Sequence, residues 1–179
     1  MSENKDVYTQ AKSQMRLSER IAAVLPGFHG YKEKELRRES DKLIRNHIYL
    51  KLSKGKDNVR NISQRITDKR YLDVLPDIDR LVAKMDRISE KINHASYGYS
   101  GFFDIVKIKE ENLDRMIAYD NQLIDNVNVL TDAIDSLKTQ LLNGDYSNLK
   151  DRIQGVTDKF DILEDAFDKR QEIIVGVTA

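Results

Sequence analysis

The stretch LDRMIAYDNQLIDNVNVLTDAIDSLKTQL, residues 113–141, decides the fold of this chain. Its apolar side chains recur in steps of three and four, which is the spacing of one face of an α-helix. This face comprises Leu113, Met116, Leu123, Val127, Leu130, Ile134, Leu137 and Leu141, with the acid Asp120 in line with them. The pattern predicts a long helix whose apolar seam contains one charge.

The segment that follows Asn143-Gly144-Asp145 repeats this spacing. These three residues indicate a helix stop and a turn, and Ser147 is a suitable N-cap for the next helix. The new stripe comprises Leu149, Ile153, Val156, Phe160, Leu163, Phe167, Arg170 and Ile174. If the two helices fold back at Gly144, each seam residue from Asp120 to Leu141 lies level with a seam residue of the other helix.

This register brings the acid of one stripe to the base of the other. Leu130 lies level with Phe160, and Asp120 lies level with Arg170. We therefore predict a partly buried Asp120–Arg170 ion pair, which fixes register more than it adds stability. The alternative is that both side chains extend to solvent along the helix surface.

A second long helix is predicted over residues 32–69. Three-and-four spacing runs from Ile44 through Gly55 to Ile66. The glycine costs this helix about 1 kcal/mol relative to alanine. A loop at residues 53–58 is the alternative.

The next stripe predicts a helix over residues 71–95. Pro76 lies near its start, where a missing N–H group is tolerated. Folding back near Arg70 places Gly55 level with Met85. A small residue opposite a large flexible one gives Gly55 a reason in packing.

A shorter amphipathic helix is predicted over residues 5–25. Its apolar line comprises Val7, Ala11, Ser18, Ala22 and Leu25. Such a helix covers the bundle, lies on a membrane surface or holds a second chain. The first of these three uses is the favoured one.

The whole pattern predicts one all-α domain over residues 1–179, an elongated antiparallel bundle of four long helices plus the N-terminal one. The predicted bundle helices are 32–69, 71–95, 109–143 and 147–174. A composition of 34% charged and 40% hydrophobic residues, with two prolines and no tryptophan, suits long helices that face water on one side.

The two halves of the chain carry opposite charge. Residues 1–90 have 20 Lys and Arg against 14 Asp and Glu, a net +6, and residues 91–179 have 10 against 16, a net −6. Pairing inside one bundle is the favoured reading. A basic face that meets phosphate or anionic lipid is the alternative.

The sequence contains no recognised catalytic or cofactor-binding motif. The chain has no cysteine, only three histidines and no Glu-x-x-His, so a di-iron or thiolate site is disfavoured, and Glu90 with His94 reads as a hydrogen bond. Phosphate-cradling and nucleophile-elbow motifs are missing as well. We predict no catalytic residue, cofactor or metal, and therefore no enzyme.

The aromatic-rich loops are the candidate site. Residues 26–31 and 97–103 are predicted at the same end of the bundle, with positive charge close behind them. The candidate partner-binding residues are Phe28, Tyr31, Arg37, Arg38, Tyr97, Tyr99, Phe102 and Phe103. Aromatic and arginine side chains are the usual anchors of interfaces. The favoured alternative is that these rings close the open end of the bundle.

Two stretches resemble a known group of sequences. They are PGFHGYKEKELRRESDKLIR (26–45) and ASYGYSGFFDIVKIKEENLDRM (95–116). Both are similar to segments of an uncharacterised family of prokaryotic helical, hypothetical proteins. The resemblance implies a helical fold and no assigned activity.

The sequence favours a non-enzymatic helical adaptor or scaffold that binds a protein through the aromatic-rich loop end or the first helix. The alternative is a peripheral membrane-surface protein that uses the first helix and the basic second one. Nucleic-acid binding through residues 31–70 ranks third, because their 13 basic residues are interleaved with 6 acids. The longest apolar run, 21–25, is too short to span a bilayer, so a cytoplasmic or membrane-peripheral protein is expected. A homodimer is compatible with the seam.

Overall fold

The structure is a computed structural model that describes residues 18–28, 34–95 and 110–175, with side chains for 18–28, 39–95 and 115–172. All regular elements in these ranges are helical, which confirms the predicted all-α class. They are α1 (18–24), α2 (Lys34–Asp68), α3 (Leu75–His94), α4 (Glu110–Leu142) and α5 (Leu149–Val175), with a 3₁₀ turn at Leu72–Val74. The long helices begin and end within a few residues of their predicted bounds.

The start of α3 differs most from the prediction. The chain forms a 3₁₀ turn over Leu72–Val74 before the α-helix begins at Leu75, and Pro76 lies in the first turn of the helix. A helix that began at residue 71 would press the proline ring against the carbonyl of residue 72. The proline therefore sets where α3 begins.

Helices α2 and α3 form one antiparallel hairpin, and α4 and α5 form another. Helix α2 packs beside α3 and α4, and α5 packs beside the same two helices, so the four form a square in cross-section. Neighbours from different hairpins run parallel: Asn58 bonds to Asp135 and Arg65 to Leu141. The predicted antiparallel packing is confirmed within each hairpin, and the contacts between the hairpins add a parallel arrangement. Apolar stripes pack in either direction, so periodicity alone did not reveal it.

The predicted stripes form the core. Leu130 and Phe160 are fully buried, as the fold-back at Gly144 requires. Helix α2 continues through Gly55, which excludes the alternative loop. A Cβ atom built on Gly55 would lie 3.2 Å from Ile134 Cδ1 and 3.5 Å from Met85 Cε, so the predicted neighbour is confirmed and a second one is added.

The described part of the first helix packs on the bundle. Ile21 is fully buried and Leu25 nearly so, whereas Ala22 is exposed. The predicted apolar line is therefore wrong at Ala22, because Ile21 offers more apolar surface to bury. Residues 5–17 lie outside the described ranges.

Candidate functional site

Most of the aromatic-rich surface predicted from the sequence lies outside the described residues. This applies to Tyr31, Tyr97, Tyr99, Phe102 and Phe103. Arg37 and Arg38 lie in the first turns of α2, where only the backbone is described. Their binding role stays a prediction.

Phe28 is described, and its ring faces the core. Its side chain is 6% exposed and belongs to the apolar core together with Ile21 and Leu25. This burial favours the alternative in which the ring closes the end of the bundle, and the partner-binding role stays a prediction. Burial of a phenylalanine ring removes a large apolar area from water, which favours the core over the surface loop predicted from the sequence.

A cluster of buried ions lies at the end where α2 and α4 begin and α3 and α5 end, which we call the charged end. The Arg170 side chain is fully buried. Its Nε donates to Asp120 Oδ1 at 2.5 Å, and its Nη1 donates to Asp41 Oδ1 at 2.8 Å. The predicted Asp120–Arg170 pair is present, is more deeply buried than expected, and includes a second acid from the other hairpin.

Arg45 extends this cluster to the fourth helix. Its Nε donates to Asp41 Oδ2 at 2.8 Å, and its Nη1 donates to the carbonyl oxygen of Asn93 in α3 at 3.2 Å. We call Asp41, Arg45, Asp120 and Arg170 the buried ion network. Its two acids balance its two bases, and it ties all four bundle helices together at one level.

Sequence reasoning found one half of the network and missed the other. Asp41 lies three residues before Ile44, so it continues the apolar stripe of α2 as Asp120 continues that of α4. Arg45 lies beside the stripe and follows Asp41 by one turn. The position of Asp41 in line with the apolar stripe of α2 was the sequence feature that could have predicted its burial.

The opposite charges of the two hairpins meet along the groove between α3 and α5. Lys84 pairs with Asp161 at 2.5 Å and Arg87 with Glu164 at 2.5 Å, while Lys91 contacts both Glu164 and Asp168. These pairs confirm the intramolecular neutralisation that charge patterning favoured.

We call the ion pairs between α3 and α5 the α3–α5 ladder, and these pairs shift the pKa values of Glu164 and Lys91. A hydrogen bond from Arg87, opposed by burial and reinforced by Lys91, lowers the pKa of the Glu164 carboxyl. Burial disfavours the Lys91 ammonium, but hydrogen bonds to Asp168 and Glu164 outweigh it and raise the pKa of that amine. Each charged form is therefore favoured by its partners.

The other end of the bundle, the turn end, carries an apolar surface. The rings of Tyr71 and Tyr146 stack with centroids 4.6 Å apart and planes 2° from parallel. Leu72, in the turn after α2, is 55% exposed, and Leu142, the last residue of α4, is 52% exposed. We call Tyr71, Leu72, Leu142 and Tyr146 the turn-end patch.

The turn after α4 positions one side of this patch. Gly144 N–H donates to Leu141 O at 3.2 Å, and Asp145 N–H donates to Gln140 O at 3.0 Å. This is the Schellman arrangement, which needs a positive φ at its key residue, and Gly144 has φ +81°. The predicted helix stop is therefore confirmed.

The turn after α2 uses the same arrangement without a glycine. Arg70 N–H donates to Thr67 O at 3.0 Å, and Tyr71 N–H donates to Ile66 O at 3.1 Å. Arg70 has φ +63°, a strained value for a residue with a side chain. The sequence placed the fold-back near Arg70 but offered no glycine to reveal the motif.

Asp145 holds the second turn together. Its Oδ1 accepts the Ser147 N–H at 3.0 Å and the Ser147 hydroxyl at 2.7 Å, and its Oδ2 accepts Arg152 Nη2 at 2.6 Å. The Ser147 hydroxyl and Arg152 guanidinium, with the Ser147 amide, lower the pKa of the Asp145 carboxyl to about 2. The predicted N-cap at Ser147 is wrong, because α5 begins at Leu149 and the hydroxyl bonds to Asp145.

A shallow groove of about 300 Å³ lies between α2 and α4 near the turn end. It is lined by Asn61, Ile62, Gln64, Arg65, Asp68, Lys138, Leu141 and Leu142. Arg65 Nε donates to the Leu141 carbonyl at 3.0 Å, and Lys138 Nζ donates to Asn58 Oδ1 at 2.8 Å. Both cations are therefore engaged within the bundle.

Two further features bear on function. Across the residues with described side chains, no three His, Asp or Glu residues lie close enough together to hold a metal ion. Among the described helices, none joins sufficient length to sufficient apolar character for a membrane crossing.

Comparison with known proteins gives no relative. No family model, no curated protein and no solved structure matches this chain. The resemblance to a family of prokaryotic helical proteins stays a prediction, and function has to be argued from the surfaces of the bundle.

Proposed function

We propose that this chain is a non-enzymatic helical adaptor that binds another protein. The observation that supports the proposal is the turn-end patch. Exposed apolar side chains usually occur singly on a soluble surface, whereas a cluster of them marks an interaction site. Here Tyr71, Leu72 and Leu142 are all at least 40% exposed at one end of the bundle.

The remaining large exposed apolar side chains among the described residues are spread along different helices. They are Val24 on α1, Leu50 on α2, Val129 on α4 and Ile162 on α5. Scattered residues of this kind need no functional explanation. The turn end therefore differs from the sides of the bundle in the density of its exposed apolar surface.

Stacking and turn hydrogen bonds order the two rings of the patch before any partner binds. Tyr71 and Tyr146 support each other by stacking, and each belongs to a turn closed by backbone hydrogen bonds. A preorganised surface loses little conformational entropy on association. Aromatic rings held in this way are typical anchors of protein interfaces.

Site-specific photocrosslinking in the native cell tests this function. A photoreactive phenylalanine analogue replaces Leu72 in one variant and Ile162 in the other, since the two side chains are 55% and 54% exposed. We expect one defined crosslinked protein with the probe at position 72 and none with the probe at position 162. Equal crosslinking at both positions, or none at position 72, contradicts binding at the turn end.

The aromatic-rich loop end remains a second predicted surface for the same function. Tyr99→Ala and Phe102→Ala test it, because a binding role requires loss of the captured protein from a variant that still folds. A role in closing the bundle predicts reduced solubility instead.

A peripheral membrane role has less support from the described residues. The apolar side chains of Ile21 and Leu25 face the core, so they are not available to a lipid surface in this conformation. Co-sedimentation of the full chain with anionic vesicles tests this alternative. Binding that disappears at high salt would favour it over the adaptor.

A further inference from the structure

Residues 18–28, which we call the strap, cross the outside of the groove between α2 and α4 at the charged end. Arg20 Nη2 donates to both carboxylate oxygens of Asp125 in α4, at 3.1 and 3.2 Å. At the other end of the strap, a Cβ atom built on Gly27 would lie 3.7 Å from Leu43 Cδ1 in α2. The strap therefore touches both parallel helices.

Two kinds of contact hold the strap closed. Ile21, Leu25 and Phe28 are buried in the common core. The Arg20–Asp125 pair is more than half exposed on both sides, so solvent screens it and it contributes little. Closure depends mainly on burial of the three apolar side chains, and Gly27, with φ +92°, forms a bend at the end of the strap.

His47 lies at the level of the strap on α2. The contacts Gly55–Ile134 and Asn58–Asp135 set the α2–α4 register and place His47 level with Asp125. His47 follows Leu43 by one helical turn and so shares the face that meets the strap. The imidazole is half-buried, and its Nε2 is fully buried and has no hydrogen-bond partner among the described residues.

A buried nitrogen without a partner is tolerated only while the ring is neutral. Protonation turns both ring nitrogens into donors and adds a charge that needs water or an acid. Among the described residues, the charged groups at this level are Lys51 on α2 and, by the α2–α4 register, Arg20 on the strap and Asp125 on α4. Two of them repel an imidazolium, and Asp125 is already paired with Arg20.

Burial, with a further effect of the Lys51 charge, lowers the pKa of His47 below its usual value. The closed state therefore binds a proton less readily than any state in which the ring meets water. As the pH falls through the usual histidine range, the open state gains protons first and the closed state loses relative stability.

We propose that the strap is a proton-sensitive cover, which protonation of His47 releases from the groove between α2 and α4. Release exposes Ile21, Leu25 and Phe28 together with the groove beneath them. It also frees Asp125 from Arg20, so that the carboxylate becomes available to the imidazolium. Release of the strap would therefore expose an apolar surface of the bundle in acid. This surface is separate from the turn-end patch.

Distance measurements between two spin labels test the proposal on the full chain. The chain has no cysteine, so Val24→Cys with Ile162→Cys places labels only on the strap and on α5. These positions are 43% and 54% exposed and tolerate a label. We expect the displaced-strap population to rise several-fold between about pH 7.5 and about pH 5.5, across the histidine range.

A second label pair and substitutions of two histidines give the experiment its controls. Labels at Leu50→Cys and Ile162→Cys report on the bundle itself, and their distance should not change. His47→Gln should abolish the response, with His47→Leu as the second variant if the first does not fold. His94→Gln should retain it, because His94 is exposed and bonded to Glu90.

A response that survives in both His47 variants overturns the proposal, as does one that disappears with His94→Gln. A single unchanged distance at both pH values overturns it too. A change in the Leu50–Ile162 distance would identify loss of the whole fold instead of release of the strap, and would also count against the proposal.

Discussion

The two ends of the bundle are held together by opposite kinds of interaction. At the turn end, the chain itself joins α2 to α3 and α4 to α5 through short turns, and apolar and stacked aromatic side chains complete the contact. At the charged end, the buried ion network of Asp41, Arg45, Asp120 and Arg170 ties the helices together. The directional ion pairs therefore lie at the end where no short turn fixes the register of the helices.

The physical reason lies in what each kind of contact tolerates. Apolar side chains interdigitate in several registers at similar free energy. A buried arginine shared between two carboxylates has one acceptable position, because any shift leaves charges unpaired. The charged end therefore selects the arrangement, whereas the turn end mainly adds stability.

The largest expected effect comes from removing the shared cation. Arg170→Met leaves two buried carboxylates without this guanidinium, and we expect the free energy of unfolding to fall by about 3–5 kcal/mol. Urea unfolding measures it. Arg87→Met removes a mostly exposed cation from the α3–α5 ladder and should cost less than about 1 kcal/mol. Similar losses in the two variants would contradict the distinction between buried and exposed pairs.

The pair predicted from the sequence is tested by a double-mutant cycle. Asp120→Ala and Arg170→Ala should couple by at least about 1 kcal/mol, since neither charge keeps this partner after the other is removed. A second cycle with Asp41→Ala should also show coupling, because Arg170 bonds to both acids. Strict additivity in the first cycle would remove the register role.

A change midway between the ends should have a smaller effect. Gly55→Leu inserts a side chain where a Cβ atom alone would meet Ile134 Cδ1 at 3.2 Å. We expect a loss of about 1–3 kcal/mol from overpacking, measured by urea unfolding. Gly55→Ala is the control and should cost less, since better helix propensity offsets a small displacement of Ile134. An unchanged Gly55→Leu protein would show that the layer is loosely packed.

The turn end is tested through its stacked rings. Tyr71→Ala and Tyr146→Ala should couple by about 0.5–1.5 kcal/mol, the range for aromatic pairs. Thermal or urea unfolding of the two single variants and the double variant gives the value. If Tyr71 and Tyr146 couple as strongly as Asp120 and Arg170, the proposed difference between the apolar turn end and the ionic charged end is contradicted.

The strained turn offers a gain in stability. Arg70→Gly removes the cost of a positive φ and should stabilise the protein by about 0.5–1 kcal/mol. Gly144→Ala is the mirror experiment and should destabilise it, because Gly144 has φ +81°. A loss on Arg70→Gly would show that the arginine side chain has a further role at the turn end.

The smallest expected effect concerns acid. The Asp145 pKa of about 2 lies below the usual 3.8, so the ionised carboxylate stabilises the folded state above that usual value. The contribution is lost as the pH falls from about 4 towards 2. An NMR titration of Asp145 should show the low midpoint, and Arg152→Gln should raise it. A midpoint near the usual value would contradict the hydrogen-bonded turn.

Prediction from the sequence succeeded where the cause is local. The stripes, the stop at Gly144 and the level of Asp120 with Arg170 follow from spacing within one helix or across one turn. Prediction was wrong at Ala22 and Ser147, where a competing side chain, Ile21 or Asp145, made the better contact. The turn-end patch was missed because Tyr71 and Tyr146 are far apart in the chain and belong to different turns.

Helix positions, hairpin register and the acid in each stripe are properties of neighbouring residues, so they are legible in the order of the amino acids. The side on which one hairpin packs against the other cannot be predicted from neighbouring residues. It depends on whether Lys91 meets Asp168 and whether Arg170 reaches Asp41, contacts between residues more than 70 positions apart. Such contacts form only when the chain is folded. Apolar stripes can pack in either direction, so the long-range charged contacts select how the two hairpins are oriented.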